Sequence, residues 1–293
     1  MRFAYAETFC DPALLPPLAR AVEEAGYHSF TVPDSLIYPA ESDTRYPYTA
    51  DGDRGFLEDK PIIEPFALVP WLAAATTTLR FTMFVLKAPV RPAVLLAKQA
   101  ASVAVLSGNR LRLGVGLSPW PEDFAALGVP WERRGRRLDE TIAVVRGLCD
   151  PAGSWFEHHG ELLDVAPMKI CPVPTEPIPI LVGGHAERAL QRAATLGDGW
   201  VHGGGDPAEL PGLLARLADL RREAGRDGEP FEVHVISLDA FSVDGVRRLE
   251  DLGVTDVVVG FRDPYRLGPD TQPLQDKLEA LRRFADDVMA KVA

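Results

Sequence analysis

"AVLLAKQAASVAVLSGNRLRLGVG", residues 93–116, contains one complete step from helix to strand. The apolar-rich run 93–106 predicts a helix, and Ser107-Gly108 is a stop signal, because glycine readily takes the left-handed turn that ends a helix. "LRLGVG" (111–116) is then a short apolar strand ending in Gly114-Val115-Gly116. A Gly-x-Gly after a strand suggests a dinucleotide cradle, but the third glycine and the immediate helix of that fingerprint are missing. "LSPWPEDFAALGVPWERRGRRLDE" follows instead, with two prolines and a tryptophan before the next helix. What this strand end accommodates is therefore open.

The same alternation continues in both directions. Strands are predicted at 2–7, 29–32, 80–86, 111–116, 178–184, 199–203, 231–236 and 256–260, each followed by an amphipathic helical stretch. Alternating βα units imply a parallel sheet covered by helices. Eight of them in 293 residues fit a closed (β/α)8 TIM barrel, an α/β fold, better than a doubly wound sheet, which needs a switch point and usually fewer strands. No linker, repeat or low-complexity segment divides the chain, so residues 1–293 read as one domain.

Two segments exceed the usual βα connection of about 2–6 residues. Residues 33–63 form a long loop after the second strand, and residues 153–176 insert a hairpin-like segment before the fifth. Loops after barrel strands lie on the catalytic face, so the first can close over a ligand. Its Tyr38, Tyr46, Tyr48 and Phe56 suggest an aromatic or apolar substrate surface.

A net charge of -11 argues against non-specific nucleic-acid binding, which depends on cations neutralising phosphates. No stretch approaches the roughly 20 apolar residues of a membrane helix. The start "MRFAYAETF" has no signal-peptide pattern, and Cys10, Cys149 and Cys171 are scattered, which points to reduced thiols in the cytoplasm. Helix-spaced metal pairs and a Gly-x-Ser-x-Gly elbow are absent, so neither a metal nor serine hydrolysis is expected.

Five stretches in order, "AVEEAGYHSFTVPDSL" (21–36), "RPAVLLAKQAASVAVLSGNRLRLGVG" (91–116), "ERRGRRLDETIAVVRGL" (132–148), "PIPILVGGHAERALQRAATLGDGW" (177–200) and "LGVTDVVV" (252–259), resemble the bacterial luciferase-like superfamily. Within it the chain looks like the oxidoreductases that use the deazaflavin coenzyme F420, with FMN as the alternative cofactor. The resemblance implies a flavin-type ring in the barrel mouth and a small-molecule substrate. It also implies a homodimer paired through outer helices. A non-prolyl cis bond against the ring would fall at Phe84-Val85. Gly114 and Gly116 either let the strand approach the cofactor or relieve crowding inside the barrel. Gly183-Gly184-His185, before the helix "ERALQRAAT", offers backbone N–H groups to the cofactor phosphate. Arg133, Arg134, Arg136 and Arg137 either face the cofactor's polyglutamate tail or form a solvated, salt-bridged face.

Where the family commonly has Asp-His at the end of the second strand, this chain has Asp34-Ser35. Serine does not titrate near neutrality, so alcohol oxidation through a base at that position is disfavoured. Reduction of an activated C=C or C=N bond needs only hydride delivery and a proton. Asp34, Tyr38 and Glu122 are the candidate catalytic residues, with water as another proton source. The rival readings are an FMN-dependent monooxygenase using O2 and a non-catalytic flavin-binding barrel.

Overall fold

The computed structural model describes every residue except Thr8, Pro47, Tyr48, Ala50 and Ala293, so the Tyr48 expectation lies outside the described residues. In chain order the strands are β1 (Arg2–Ala6), β2 (Ser29–Val32), β3 (Arg80–Met83), β4 (Leu86–Lys87), β5 (Leu111–Gly116), β6 (Phe156–His159), β7 (Asp164–Met168), β8 (Ile180–Gly183), β9 (Gly199–His202), β10 (Glu232–Ile236) and β11 (Asp256–Val259). Parallel pairing runs β1–β2–β3–β5–β8–β9–β10–β11 and returns to β1, closing an eight-stranded barrel among the described residues. β4 extends the third strand after an interruption, and β6–β7 is an antiparallel hairpin outside the barrel.

The helices are α1 (Leu15–Glu24), α2 (Pro65–Ala73), α3 (Ala93–Ser107), α4 (Pro121–Ala126), α5 (Arg134–Leu148), α6 (Glu187–Leu196), α7 (Leu210–Glu223), α8 (Val243–Asp251) and α9 (Leu274–Phe284). α3 ends as its sequence requires: Gly108 takes φ +64° and its N–H returns to the Ala104 and Val105 carbonyls. α4 was not anticipated. Its Pro121 stands at the first helical position, where the missing N–H costs nothing. The last helix is α-helical to Phe284 and widens into a π turn at Ala285–Met289.

β2, β5, β9 and β11 are buried along their whole length, as expected of parallel strands enclosed on both sides. Tyr5, Phe30 and Phe81 are neighbours across β1, β2 and β3, with the Tyr5 and Phe30 rings edge to face at 5.7 Å. Trp200 is fully buried, and Asp198 fixes the turn before it by accepting from the Ile180 N–H and the Arg146 guanidinium.

The N-terminal ends of the strands are joined by buried charges. Arg112 donates to both oxygens of Glu232, and Arg2 donates to both oxygens of Asp256. His234 lies 2.8 Å from Glu232 and 3.5 Å from Asp256. Burial pushes the Glu232 carboxyl up, but hydrogen bonds from His234 and Arg112 outweigh it and hold the group well below the usual range. Glu232, His234 and Asp256 are close enough to share a cation, yet each carboxylate already carries an arginine. The site lies at the end of the barrel opposite the catalytic face.

Candidate active site

Between the pairs Thr82↔Arg112 and Leu86↔Val115 the third strand advances four residues for three on β5, so one extra residue bulges out. The bulge is at Phe84-Val85, whose peptide bond is cis. Three glycines surround it. A Cβ on Gly114 would overlap the Met83 carbonyl oxygen, and one on Gly116 would lie 2.7 Å from Val85 Cγ2. On Gly183 of β8 it would lie 3.1 and 3.2 Å from the two Val85 methyls. Of the two readings of Gly114 and Gly116, these contacts fit crowding inside the barrel. The two glycines seat the bulge, and the bulge presents Phe84 and Val85 to the barrel mouth.

Above it lies a cavity of about 280 Å³, at the small end of ligand sites. Phe84, Val85, Gly183, Gly184, Val201 and Gly203 line one side, and Glu7, Phe9, Arg262, Pro264 and Tyr265 belong to the strand ends across the barrel. The long loop covers it with Tyr46 and Phe56. These rings meet at 5.1 Å, Phe56 meets Tyr265 at 5.1 Å, and Tyr46 stacks on Trp120 at 5.9 Å. The Arg54 guanidinium packs over Trp120 at 4.7 Å. Tyr46 and Phe56 thus fit the expected aromatic surface.

Gly184 has φ +123°, a conformation a side chain rarely adopts, and its carbonyl accepts from the Trp200 indole N–H at 2.8 Å. The turn is therefore fixed from the core just before α6. Gly204 and Gly205, at φ +94° and +123°, form a second glycine turn after β9, visible in sequence as "HGGGD" but not anticipated as part of the site. His185 stacks on His202 with centroids 4.4 Å apart and planes within 11°. Burial, then the neighbouring His185, pushes His202 down to about 4; burial also lowers His185. Both rings are neutral near pH 7.

The proposed catalytic side chains do not converge. Asp34 is held by a two-pronged bond from Arg91 at 2.8 and 2.9 Å and by the Lys87 N–H at 2.8 Å, and its side chain is inaccessible. It ties β2 to the segment after the bulge and cannot reach a substrate. Tyr38 is exposed beside Arg54, outside the cavity lining. Glu122 is half-buried. Burial raises its carboxyl, but the Ser42 hydroxyl and Arg54 more than offset this, so it stays ionised and is no proton donor. Of the arginine cluster, Arg133 and Arg136 pair with Glu161 and Glu140, the salt-bridged alternative, while Arg134 lies 3.6 Å over Trp131.

Comparison with known proteins agrees with this architecture. The family model for luciferase-like monooxygenases matches residues 10–245. The chain belongs to the luciferase-like monooxygenase family. An uncharacterized protein of Mycobacterium tuberculosis is 60% identical over 292 residues, covering 100% of both chains. An FMNH(2)-dependent dimethylsulfone monooxygenase of Pseudomonas putida is 28% identical over 66% of this chain and 52% of its own. A 5,10-methylenetetrahydromethanopterin reductase of Methanolobus tindarius is 28% identical over 59% of this chain and 51% of its own. Among solved structures, monooxygenase RslO1 from Streptomyces bottropensis superposes with TM-score 0.75 at 17% identity, covering 100% of both chains. The coenzyme F420 dependent tetrahydromethanopterin reductase of Methanopyrus kandleri gives 0.74 at 15% identity, over 100% of this chain and 99% of that one. At such identities the likeness shows the fold.

In this luciferase-like barrel the residues that strand and helix patterning did not nominate are the charged ones at the first and last strand ends. Glu7 follows β1 and Arg262 follows β11; the rule that barrel chemistry sits at C-terminal strand ends would have singled out both. Lys277 of α9 donates to Glu7 at 2.9 Å and to Asp270 at 2.5 Å, and Arg262 lies 3.1 Å from Asp270 and 3.8 Å from Glu7. Burial lowers Lys277, but hydrogen bonds to Asp270 and Glu7 outweigh it and raise its pKa. Arg262, Lys277, Glu7 and Asp270 are two cations and two anions, and Lys60 of the long loop is a third cation within electrostatic reach of them.

Proposed function

We propose that the protein is an oxidoreductase of the cytoplasm that binds coenzyme F420 and reduces an activated C=C or C=N bond of a small molecule. The observation that carries this reading is an apolar shelf at Phe84-Val85 in a cavity without a histidine among its described lining residues, whose one carboxylate, Glu7, is paired with Lys277. Asp34 is bound to Arg91, and Ser35 takes the place of the family base. The shelf fits a flat ring. Phe84 and Val85 offer an apolar face, and Gly183, Gly184 and Gly203 leave no side chains between it and the neighbouring strand ends. The glycine turns at Gly184 and Gly204-Gly205 and the start of the ten-residue α6 support a phosphate held by backbone N–H groups without a cationic side chain.

When bound, the coenzyme supplies a hydride. The chain's own part is to orient the substrate between shelf and lid and to exclude water with Tyr46, Phe56 and Tyr265. A proton then comes from solvent at the rim. FMN is the second reading, favoured by the name of the Pseudomonas putida relative. Fluorescence titration separates the two. F420 should bind at micromolar concentration and FMN at least about tenfold more weakly. Tighter FMN binding, with O2-dependent product formation from NAD(P)H, would establish the monooxygenase reading instead.

A further inference from the structure

Around the barrel, β11 lies opposite β5 and β1 opposite β8, because three strands stand between each of these pairs in either direction. Arg262 and Glu7 therefore face the Val85–Gly183 shelf across the cavity and are its only described lining residues with charged side chains. Every other lining side chain there is apolar, aromatic or a single hydroxyl. Both terminal nitrogens of Arg262 are buried and make no hydrogen bond among the described residues, although Asp270 and Glu7 are near enough for charge attraction. A buried guanidinium with unused donors is costly, and a ligand oxygen is the natural partner to complete it. At the cavity wall Arg262 stands beside Glu7, with Lys277 and Asp270 paired behind them and Lys60 directed to the Arg266 and Gly268 carbonyls, so an added full negative charge would meet a carboxylate as well as the guanidinium.

We propose that Arg262 recognises an uncharged acceptor oxygen, a conjugated carbonyl, on an otherwise apolar, ring-containing substrate. The inference takes the shelf side as cofactor space, as in the function proposed above, and adds the substrate class. A carbonyl held by this guanidinium has its conjugated carbons directed toward the shelf. Arg262 is thus a binding and orienting residue, and its donors are in place for the charge that gathers on oxygen when a conjugated bond is reduced.

Three naphthalenes test it by equilibrium dialysis against the whole chain: 2-acetylnaphthalene, 2-ethylnaphthalene and 2-naphthoate. They share a ring system and differ in the acceptor. The ketone should bind at least about tenfold more tightly than the hydrocarbon, the usual scale for a hydrogen bond to a charged donor. The naphthoate should bind no more tightly than the ketone. Arg262→Met should abolish the preference, and Arg262→Lys, which keeps the charge but loses the fork, should reduce it. Equal binding of ketone and hydrocarbon by the wild-type chain overturns the proposal even if the variants fail to fold, and preferred binding of naphthoate overturns the uncharged class. Cofactor affinity is measured alongside. A tenfold loss in folded Arg262→Met would assign the guanidinium to the cofactor and refute the proposal. Failure of the wild-type chain to bind F420 would count against the proposed function and leave the three-probe comparison intact.

Discussion

Replacing Gly116 with alanine tests whether the glycines at the end of β5 exist to seat the bulge. The new Cβ would lie 2.7 Å from Val85 Cγ2 and 3.7 Å from Val85 Cβ. The first distance is about 1 Å inside normal carbon contact, the second is ordinary. Such overpacking costs about 1–3 kcal/mol. Val85→Ala removes both methyls from a half-buried side chain, costing about 1 kcal/mol at roughly 0.8 kcal/mol per fully buried methylene. In the double variant the clashing methyl is gone, so Gly116→Ala should add little, and the pair should be less destabilised than the sum of the singles by about 1–3 kcal/mol. Gly114→Ala overlaps the Met83 carbonyl oxygen and only crowds Val85 Cγ1, at 3.3 Å, so Val85→Ala should not rescue it. Urea unfolding of the set measures the coupling. Additivity of Gly116→Ala and Val85→Ala within about 0.5 kcal/mol, the behaviour of independent sites, would refute the reasoning.

His202, pushed down to about 4 by burial and His185, should make the fold acid-sensitive. The unfolded state, with a pKa of about 6.5, takes up the proton first, so stability is full above that value and falls toward pH 4, by up to about 3 kcal/mol from this residue. Unfolding of His202→Phe at several pH values should show a flatter slope across that window, and an unchanged slope would disprove the assignment. Gly184→Ala places a Cβ 2.9 Å from Ala189 Cβ at φ +123°, so it should cost about 1–3 kcal/mol and lower affinity for F420 by an order of magnitude. Unaltered affinity in the folded variant would move the phosphate elsewhere. Light scattering is expected to show a homodimer, and a solution containing only a 32.0 kDa species would exclude it.

The barrel was legible because each βα unit carries its own signal: an apolar strand, a stop such as Ser107-Gly108, and a helix with one apolar face. Phe84-Val85 was legible as the position of a cis bond through resemblance alone. The short α4 was not, since Pro119 and Pro121 read as breakers until one of them is seen at a helix start. Side-chain roles depended on distant partners. Asp34 looks like a free carboxylate until Arg91, 57 residues on, is found gripping it. The space cleared by Gly114 and Gly116 is filled from the neighbouring strand, and the Arg262 network joins residues up to 270 positions apart. No local pattern encodes such pairings.

Lys60, in the long loop, donates to the carbonyls of Arg266 and Gly268, at 3.0 and 2.5 Å. Tyr46 and Phe56 of the same loop meet Tyr265 ring to ring. The cover over the cavity and the segment bearing Arg262 are therefore fastened together, like a door whose bolt is mounted on its own frame. A displacement of the cover that keeps the Lys60 bonds carries the Arg262 segment with it, so admitting a molecule and releasing its oxygen become one movement. A displacement that breaks them strips two hydrogen bonds from a buried ammonium and leaves it needing water. Opening the cover by that second route would hydrate one buried lysine.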